Sequence, residues 1–308
     1  MISIITPCYN LEKYISATYQ SLRSQTHTDW EWLIVDDAST DSTREIIKGF
    51  NEKRVRLIES EHVGNLSILR NRGAREARGE LFAFLDGDDI MEPRKLELQA
   101  AQFQRVPRVQ WNHTNVRILQ DETGVLLPQS KPPPPTEFLE AERGFGQLVL
   151  RNYVTISSVM IRKSAFFDVK GFRDELNRCE DIDLWLRLTA SGYSMGYLPE
   201  TLLQYRVRKS GLFSSKTLEY LATNFKVYEN IRHSFPVLWI KYQSEIQQYL
   251  SNNHLKLAIQ MVHQKDVQFQ SHFKKAFLLN PSLKKAAWYL LSVFNPSILR
   301  HYLNKRLN

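Results

Sequence analysis

The most informative stretch of this chain is Phe82-Ala83-Phe84-Leu85-Asp86-Gly87-Asp88-Asp89, in which an apolar run passes directly into three acids. Four apolar residues followed by acids predict a buried strand that ends at a sheet edge. In an open α/β sheet, ligands bind just beyond the carboxyl ends of the strands. Three carboxylates there repel one another unless a divalent cation lies between them, and their oxygens suit Mg²⁺ or Mn²⁺. This stretch alone leaves a solvated Asp-Gly turn open as the alternative.

Upstream of this stretch, strand patterns alternate with helical patterns. Strands are predicted at 2–6, 31–35, 55–58 and 82–85. The segments between them carry apolar residues at helical spacing or helix N-cap residues. Strands that alternate with helices predict an α/β fold with a mostly parallel central sheet flanked by helices. Pro7 is expected to break the first strand, because proline cannot donate a hydrogen bond to a central ladder.

Polar side chains follow three of these predicted strands. Tyr9 follows the first, Asp36 and Asp37 follow the second, and the three acids of the opening stretch follow the fourth. Because parallel strands end at the same edge of a sheet, we expect these side chains to lie near one another. Carboxylates at two strand ends with an aromatic residue at a third favour a binding site over isolated helix caps.

The pattern is less regular after residue 92. Helices are predicted at 93–105 and 138–151, and strands at 109–119, 154–161, 193–198 and 202–207. The proline-rich segment 120–136 is expected to be an extended loop, either a spacer or a flap over the site. Asp181 lies at the start of a further predicted helix, where Trp185 and Leu188 share its face. An acid in this position is either a partner of the helix dipole or a functional group.

Composition limits the class of protein. The 308 residues are 43% hydrophobic and 24% charged, which is typical of a soluble globular protein. Two cysteines, Cys8 and Cys179, provide no disulfide framework and indicate a reducing compartment. The N-terminus lacks the basic region of a signal peptide, and no apolar run has the length of a membrane-spanning helix. We therefore expect a cytoplasmic protein, or one that is peripheral at the inner membrane face.

The positive charge lies in the C-terminal part of the chain. Residues 251–308 hold nine Lys and Arg and one acid, so they account for the whole formal net charge of +8. Residues 1–250 are neutral overall and show no basic footprint with stacking aromatics, which predicts no nucleic-acid partner. The basic region itself is expected to be helical. It either contacts an anionic membrane peripherally or packs on the rest of the chain or another subunit.

Taken together, these segments resemble the family 2 inverting glycosyltransferases of the GT-A fold, of the bacterial type that uses nucleotide sugars. The resemblance extends from residue 2 to about residue 214. Its motifs are SIITPCYN at 3–10, QTHTDWEWLIVDDASTD at 25–41, RNRG at 70–73, GE at 79–80, FLDGDD at 84–89 and EDIDLWLRL at 180–188. Several motifs in the same order and spacing are far more specific than any one of them.

The resemblance implies a domain organisation. A GT-A glycosyltransferase domain would occupy 1–214, with a nucleotide-sugar-binding half at 1–105 and an acceptor-binding half at 106–214. The helical C-terminal region would occupy 215–308. The partners would be a nucleoside-diphosphate sugar, with UDP the expected nucleotide, and a glycan or lipid-linked sugar of cell-envelope polysaccharide synthesis. A catalytically inactive nucleotide-sugar-binding or scaffold protein of a glycan-assembly complex is the alternative.

The resemblance also implies how the donor is held. Pro7 and Tyr9 would lie against the base of the nucleotide, where an aromatic face supports stacking. Asp37 would accept a hydrogen bond from the imide N–H of uracil. Arg70 would approach the nucleotide or its diphosphate as a bidentate cation.

The acids at 86, 88 and 181 receive catalytic and metal-binding roles from the same resemblance. Asp88 would contact the Mn²⁺ or Mg²⁺ ion, and Asp86 would lie nearer the ribose while also serving the metal. Asp181 would be the general base that deprotonates the acceptor hydroxyl. Many relatives have Tyr-Arg-x-His after the base helix, whereas this chain has Arg208 in place of the histidine. Arginine cannot bind a metal, but it can neutralise phosphate.

Overall fold

The computed structural model of the protein describes residues 1–128, 137–208, 217–263, 266 and 268–305. The chain divides into two compact units, Met1–Ser215 and Lys216–Asn308. Residues 129–136, which are eight of the seventeen residues of the predicted proline-rich loop at 120–136, lie outside the described residues.

The first unit begins with alternating strands and helices, as the sequence predicts. Its first elements are β1 (Ile2–Cys8), α1 (Ile15–Arg23), β2 (Trp30–Asp36), α2 (Thr43–Lys48), β3 (Val55–Glu59), α3 (Leu66–Glu76) and β4 (Leu81–Phe84). These four strands lie in the order β3-β2-β1-β4, and all of their pairings are parallel. Every residue of β1 and β2 is buried, which explains why both strands are almost entirely apolar.

The prediction that Pro7 breaks β1 was wrong, because the strand continues to Cys8 and Pro7 pairs with Val35. Peptide groups along a parallel strand point alternately to its two neighbours. The carbonyl of Ile5 accepts from Leu85 on the β4 side, whereas the carbonyl of Cys8 accepts from Asp37 on the β2 side. Pro7 therefore faces the β4 side, beyond the last pairing with that strand, so no ladder hydrogen bond is lost.

The remaining elements of the first unit extend the sheet. They are β5 (Ile90–Met91), α4 (Lys95–Arg105), β6 (Val109–Gln120), β7 (Leu126–Pro128), β8 (Phe138–Leu139), α5 (Ala141–Leu148), β9 (Val159–Arg162), α6 (Lys163–Asp168), α7 (Glu180–Ala190) and β10 (Ser194–Val207). The complete sheet order is β3-β2-β1-β4-β9-β6-β10-β5, with β7 and β8 paired at the side. Strand β9 runs antiparallel between β4 and β6, and β10 runs parallel to β6.

Two predictions for this half need correction. The strand expected from residue 154 starts at Val159, because Ile156–Ser158 forms a 3₁₀ turn in which the Ser158 hydroxyl donates to the Thr155 carbonyl. Such a local side-chain bond competes with strand pairing. The two strands expected at 193–198 and 202–207 are one strand, β10, whose register with β6 shifts near Thr201.

The second unit is helical throughout its described residues, apart from short connections. Its helices are α8 (Thr217–Ser234), α9 (Pro236–Lys241), α10 (Gln243–His263), α11 (Phe269–Leu279), α12 (Leu283–Phe294) and α13 (Pro296–Lys305). A core of its own includes Phe269, Phe273 and Leu299. None of the helices in the described ranges has the length and apolar character needed to cross a bilayer.

Candidate active site

The three acids after β4 lie on a tight turn that α1 holds in place. The backbone N–H of Asp89 donates to the carbonyl of Asp86 over 3.0 Å. From α1, the buried hydroxyl of Thr18 lies 2.9 Å from the Gly87 carbonyl and 3.0 Å from the Asp89 carbonyl. The turn is therefore an ordered part of the sheet edge, which disfavours the solvated loop that the sequence left open.

Gly87 is required in this turn for packing. A Cβ atom there would lie 2.5 Å from Cδ1 of Leu11 and 3.3 Å from methyl groups of Ile15 and Thr6. The absent side chain therefore lets the turn approach the helix and strand behind it. Leu11, Ile15 and Thr6 are all buried.

Burial and the charge of neighbouring carboxylates raise the pKa of two acids of the turn, Asp88 and Asp89. Asp89 is fully buried, and burial followed by the charges of Asp88 and Asp86 raises its pKa well above the usual value. The pKa of Asp88 is raised by burial and then by the charge of Asp86, although Arg208 and Arg206 counteract this effect. The turn thus carries negative charge that the protein only partly compensates.

Strand β10 brings two arginines to these acids. Nη2 of Arg208 lies 2.9 Å from Oδ2 of Asp88. The backbone N–H of Arg206 donates to Asp89 over 2.8 Å, and its Nε donates to the Asp88 carbonyl over 2.8 Å. Both guanidinium groups also lie over the ring of Tyr14, at 5.2 Å for Arg206 and 5.1 Å for Arg208. The chain therefore places a cation on Asp88 at the position where many relatives have histidine.

The oxygen chemistry of Asp86 and Asp88 fits a divalent cation. Mg²⁺ and Mn²⁺ prefer oxygen ligands, and Mg²⁺ commonly binds through one or two carboxylates together with substrate phosphates. Within the described ranges no group of three His, Cys, Asp or Glu side chains is arranged as a metal site. Asp86 and Asp88 are thus the residues that would hold such an ion, together with donor phosphates.

Arg70 connects the acid turn to α7. Its Nη2 lies 2.7 Å from Asp86 and its Nη1 lies 2.6 Å from Glu180. Only 1% of its side chain is exposed, and the two carboxylates raise the pKa of Arg70 although burial alone would lower it. Arg70 therefore lies buried between two carboxylates, and its contact with the nucleotide or the diphosphate stays a prediction.

Asp181 lies in the first turn of α7, next to the ion pair. Its Oδ2 accepts a hydrogen bond from the side-chain amide of Asn152 over 2.9 Å, and its Oδ1 accepts one from the N–H of Ile182 over 2.7 Å. Burial and the charge of Glu180 raise the pKa of Asp181 to about 7, against the opposing effects of these hydrogen bonds and Arg70. A carboxylate with this pKa exchanges its proton near neutral pH, as a general base must.

The partly buried Tyr205 indicates that these acids share one region. Its pKa is raised by burial and then by the charges of Asp89, Asp86, Asp88 and Asp181. The acid turn and the first turn of α7 are almost a hundred residues apart in sequence, so the fold brings the two groups of acids to the same part of the sheet edge.

Asp37 and Tyr9 lie at the ends of β2 and β1. The carboxylate of Asp37 accepts hydrogen bonds from the backbone N–H groups of Val63, over 2.6 Å, and Gly64, over 2.9 Å. Tyr9 is exposed, and its ring centroid lies 4.9 Å from that of His62. The two rings form an aromatic surface beside a fixed carboxylate, which is a suitable place for a heterocyclic base.

Comparison with known proteins agrees with this arrangement. The model of glycosyl transferase family 2 matches residues 3–166. The glycosyltransferase EpsE of Bacillus subtilis strain 168 is 32% identical over 238 residues, which are 75% of this chain and 82% of EpsE. The chain belongs to glycosyl transferase family 2. It is accordingly a glycosyltransferase, as the sequence motifs predicted.

Two further similarities are informative. Over 99 residues, which are 32% of this chain and 39% of the relative, it is 41% identical to WfgD of Escherichia coli, a UDP-Glc:alpha-D-GlcNAc-diphosphoundecaprenol beta-1,3-glucosyltransferase. The crystal structure of S. aureus TarS 1-349 in complex with UDP-GlcNAc superimposes with a TM-score of 0.73 at 19% identity. That match covers 99% of this chain and 87% of the TarS chain, and it confirms the predicted GT-A fold.

Other residues at family motifs are structural in this glycosyltransferase. Trp111 is buried and stacks on Trp185, with ring centroids 5.0 Å apart and planes inclined by 8°. His113 is also buried, and burial lowers its pKa to about 3. Both side chains are thus enclosed by the protein, at 0% and 1% exposure. Asp183 is held by Arg187 at 2.7 Å.

Sequence reasoning missed two side chains of this family 2 site. Asn152 donates a hydrogen bond to Asp181, but it lies in a segment without a motif. Its residue type and its place before a predicted strand did not indicate this role. His62 lies in a glycine-containing loop that was treated only as a connection. Aromatic and polar residues in the loop after the third strand could have been considered, because that loop also starts at the functional edge of the sheet.

Proposed function

We propose that this glycosyltransferase is a metal-dependent inverting enzyme that transfers a sugar from a UDP-linked donor to a hydroxyl of a glycan or lipid-linked sugar. The observation that carries the proposal is the pairing of a carboxylate poised near pH 7, Asp181, with the partly compensated acid turn at 86–89. The names of two similar proteins support UDP-linked donors, and WfgD supports an acceptor on a lipid diphosphate.

The donor would lie across the ends of β1, β2 and β4. The base would stack beside Tyr9 and His62 and would donate its imide N–H to Asp37, whose carboxylate the loop at 63–64 already orients. Pro7 would contact the base from the end of β1. The diphosphate would then lie toward the acid turn, where Arg208 is the partly exposed cation.

Asp86 and Asp88 would hold the Mn²⁺ or Mg²⁺ ion together with the phosphates of the donor. A bound divalent cation supplies stabilisation of the negative charge that develops on the departing nucleoside diphosphate. Arg208 would also stabilise that negative charge, since its guanidinium lies at the acid turn, 2.9 Å from Asp88. The buried Arg70 would position Asp86 and Glu180 rather than contact the donor.

The transfer itself would use Asp181. The acceptor oxygen attacks the anomeric carbon as the bond from that carbon to the diphosphate oxygen breaks, and the electron pair leaves with the nucleoside diphosphate. The hydroxyl proton passes to the Asp181 carboxylate, whose two oxygens each keep a free acceptor site beside the bonds from Asn152 and Ile182. Attack from the face opposite the leaving group inverts the configuration.

Donor binding tests the nucleotide and metal assignments. We expect UDP to raise the melting temperature more than GDP or CDP, and Mn²⁺ to increase the effect of UDP. Asp88→Ala should weaken binding of UDP with Mn²⁺ about tenfold or more, which corresponds to ~1.4 kcal/mol. The exposed Asp168, on α6, provides the control variant Asp168→Ala, which should bind like the unmodified protein. Equal stabilisation by all nucleotides, or no effect of Mn²⁺, would contradict the assignment.

The pKa of Asp181 predicts the pH dependence of transfer. A general base must be deprotonated, so kcat/KM should rise with pH and reach half of its maximum at a pH of about 7. Asn152→Ala removes a hydrogen bond that stabilises the charged carboxylate, so it should raise this midpoint by about one pH unit. The rate at high pH should change much less. An unchanged midpoint would show that Asn152 does not act on the base.

A further inference from the structure

Helix α12 carries an apolar stripe that is exposed in the described part of the second unit. Leu283, Leu290 and Phe294 are 92%, 52% and 80% exposed. They occur at positions i, i+7 and i+11, so they lie on the same side of the helix. The other side faces the core of the unit, where Trp288 lies 5.7 Å from Phe273 and Ser292 is buried. The helix is thus anchored by one face and presents a second apolar face to solvent.

The neighbouring helices extend this apolar surface. Leu278 on α11 and Ile298 on α13 are also exposed, and both helices contact α12. Exposed apolar side chains that occur singly need no explanation, but a stripe along one helix with similar residues on adjoining helices indicates an interaction surface.

The net charge of this part of the chain selects among the partners. Residues 267–308 contain seven Lys and Arg and not one Asp or Glu. On α12 itself, the exposed Lys284 is adjacent to Leu283, and its ammonium lies 5.8 Å over the ring of Trp288. A second copy of this chain would bring the same positive charges together and would be repelled. An anionic surface with an apolar interior would satisfy both the lysines and the stripe.

We propose that this face of α12 binds the surface of an anionic lipid membrane. Leu283, Leu290 and Phe294 would enter the boundary between headgroups and acyl chains, and the lysines would contact the lipid phosphates. The face belongs to the second unit, so membrane binding does not depend on the transfer reaction, and loss of one function would leave the other measurable.

Vesicle sedimentation with the full chain tests this proposal. The protein should sediment with phosphatidylcholine vesicles that contain phosphatidylglycerol, much less with pure phosphatidylcholine vesicles, and less as salt is added. The double variant Leu290→Glu with Phe294→Glu should lower the partition coefficient about tenfold or more. Both side chains are exposed, so the far-UV circular dichroism and the melting temperature should be unchanged.

A matched control lies in the same unit. Val237 and Ile240 on α9 are 78% and 69% exposed, so Val237→Glu with Ile240→Glu makes the same chemical change outside the stripe. This variant should keep the vesicle binding of the unmodified protein. An equal loss in both double variants would overturn the assignment to α12. Failure of the unmodified protein to bind anionic vesicles would also overturn the proposal. A dimer in ultracentrifugation that Leu290→Glu with Phe294→Glu disperses would then identify the stripe as a contact between two copies of the chain.

Discussion

Asp181→Asn is expected to lower kcat for sugar transfer by about 10²–10⁴, the usual contribution of a general base. The substitution keeps the size of the side chain but removes its ability to take the proton of the acceptor hydroxyl. Affinity for UDP should be unchanged, because Asp181 is assigned to the acceptor side. The measurement is the initial rate of transfer under saturating donor, combined with UDP affinity from calorimetry.

Asp168→Asn supplies the control for this prediction, since Asp168 is an exposed residue of α6 hydrogen-bonded to Tyr193. It should transfer sugar at the unmodified rate. If Asp181→Asn turned over as fast as the unmodified enzyme, the assigned base would be wrong. If the unmodified protein bound UDP but released none from a panel of UDP-sugars with candidate acceptors, the nucleotide-binding scaffold would be the better interpretation.

The second large effect concerns folding stability. Arg70→Met should lower the free energy of unfolding by about 3–5 kcal/mol, because it leaves the nearly buried Glu180 and the half-buried Asp86 without their cation. Arg75→Met on the exposed side of the same helix, α3, should change it by no more than about 0.5 kcal/mol. Urea denaturation followed by tryptophan fluorescence measures both values.

A double-mutant cycle separates the ion pair from packing. Glu180→Gln combined with Arg70→Met should cost less than the sum of the two single changes, because each removes the charge that the other leaves unpaired. Strictly additive costs would mean that Arg70 and Glu180 are not coupled, and that Arg70 stabilises the protein through Asp86 or through packing. The link between Arg70 and Glu180 would then have no electrostatic role.

The sequence predicted the parallel half of the sheet because that half follows local rules. Strands β1, β2 and β4 are almost entirely buried, so each is a mostly apolar run that is followed by polar residues. The same rule located the acid turn at 86–89. Local rules failed at Pro7, where the end of the neighbouring strand decided the outcome, and at 156–158, where a hydroxyl bond replaced strand pairing.

The chemistry of the candidate site was predictable as residue types, while its internal pairings were not. Arg70 and Glu180 are 110 positions apart in the sequence, and a single sequence does not show that the two side chains are close in space. Arginine next to a carboxylate and arginine next to a phosphate have the same sequence signature. Only burial distinguishes them, and burial depends on how α3 and α7 pack. The partner of Asp181, Asn152, was hidden for the same reason.

The topology of the sheet also has a consequence for how the chain folds during synthesis. Strand β6 lies between β9 and β10. It can pair with β9 first, but its other edge has no partner until the ribosome has produced residues up to Val207. The family match ends at residue 166, before α7 and β10. A polypeptide that stops there would expose the edge of β6 and would lack the arginines that contact the acid turn. We therefore expect a nascent protein that has not yet reached β10 to be prone to aggregation, and the shortest segment that folds independently to extend beyond the family match.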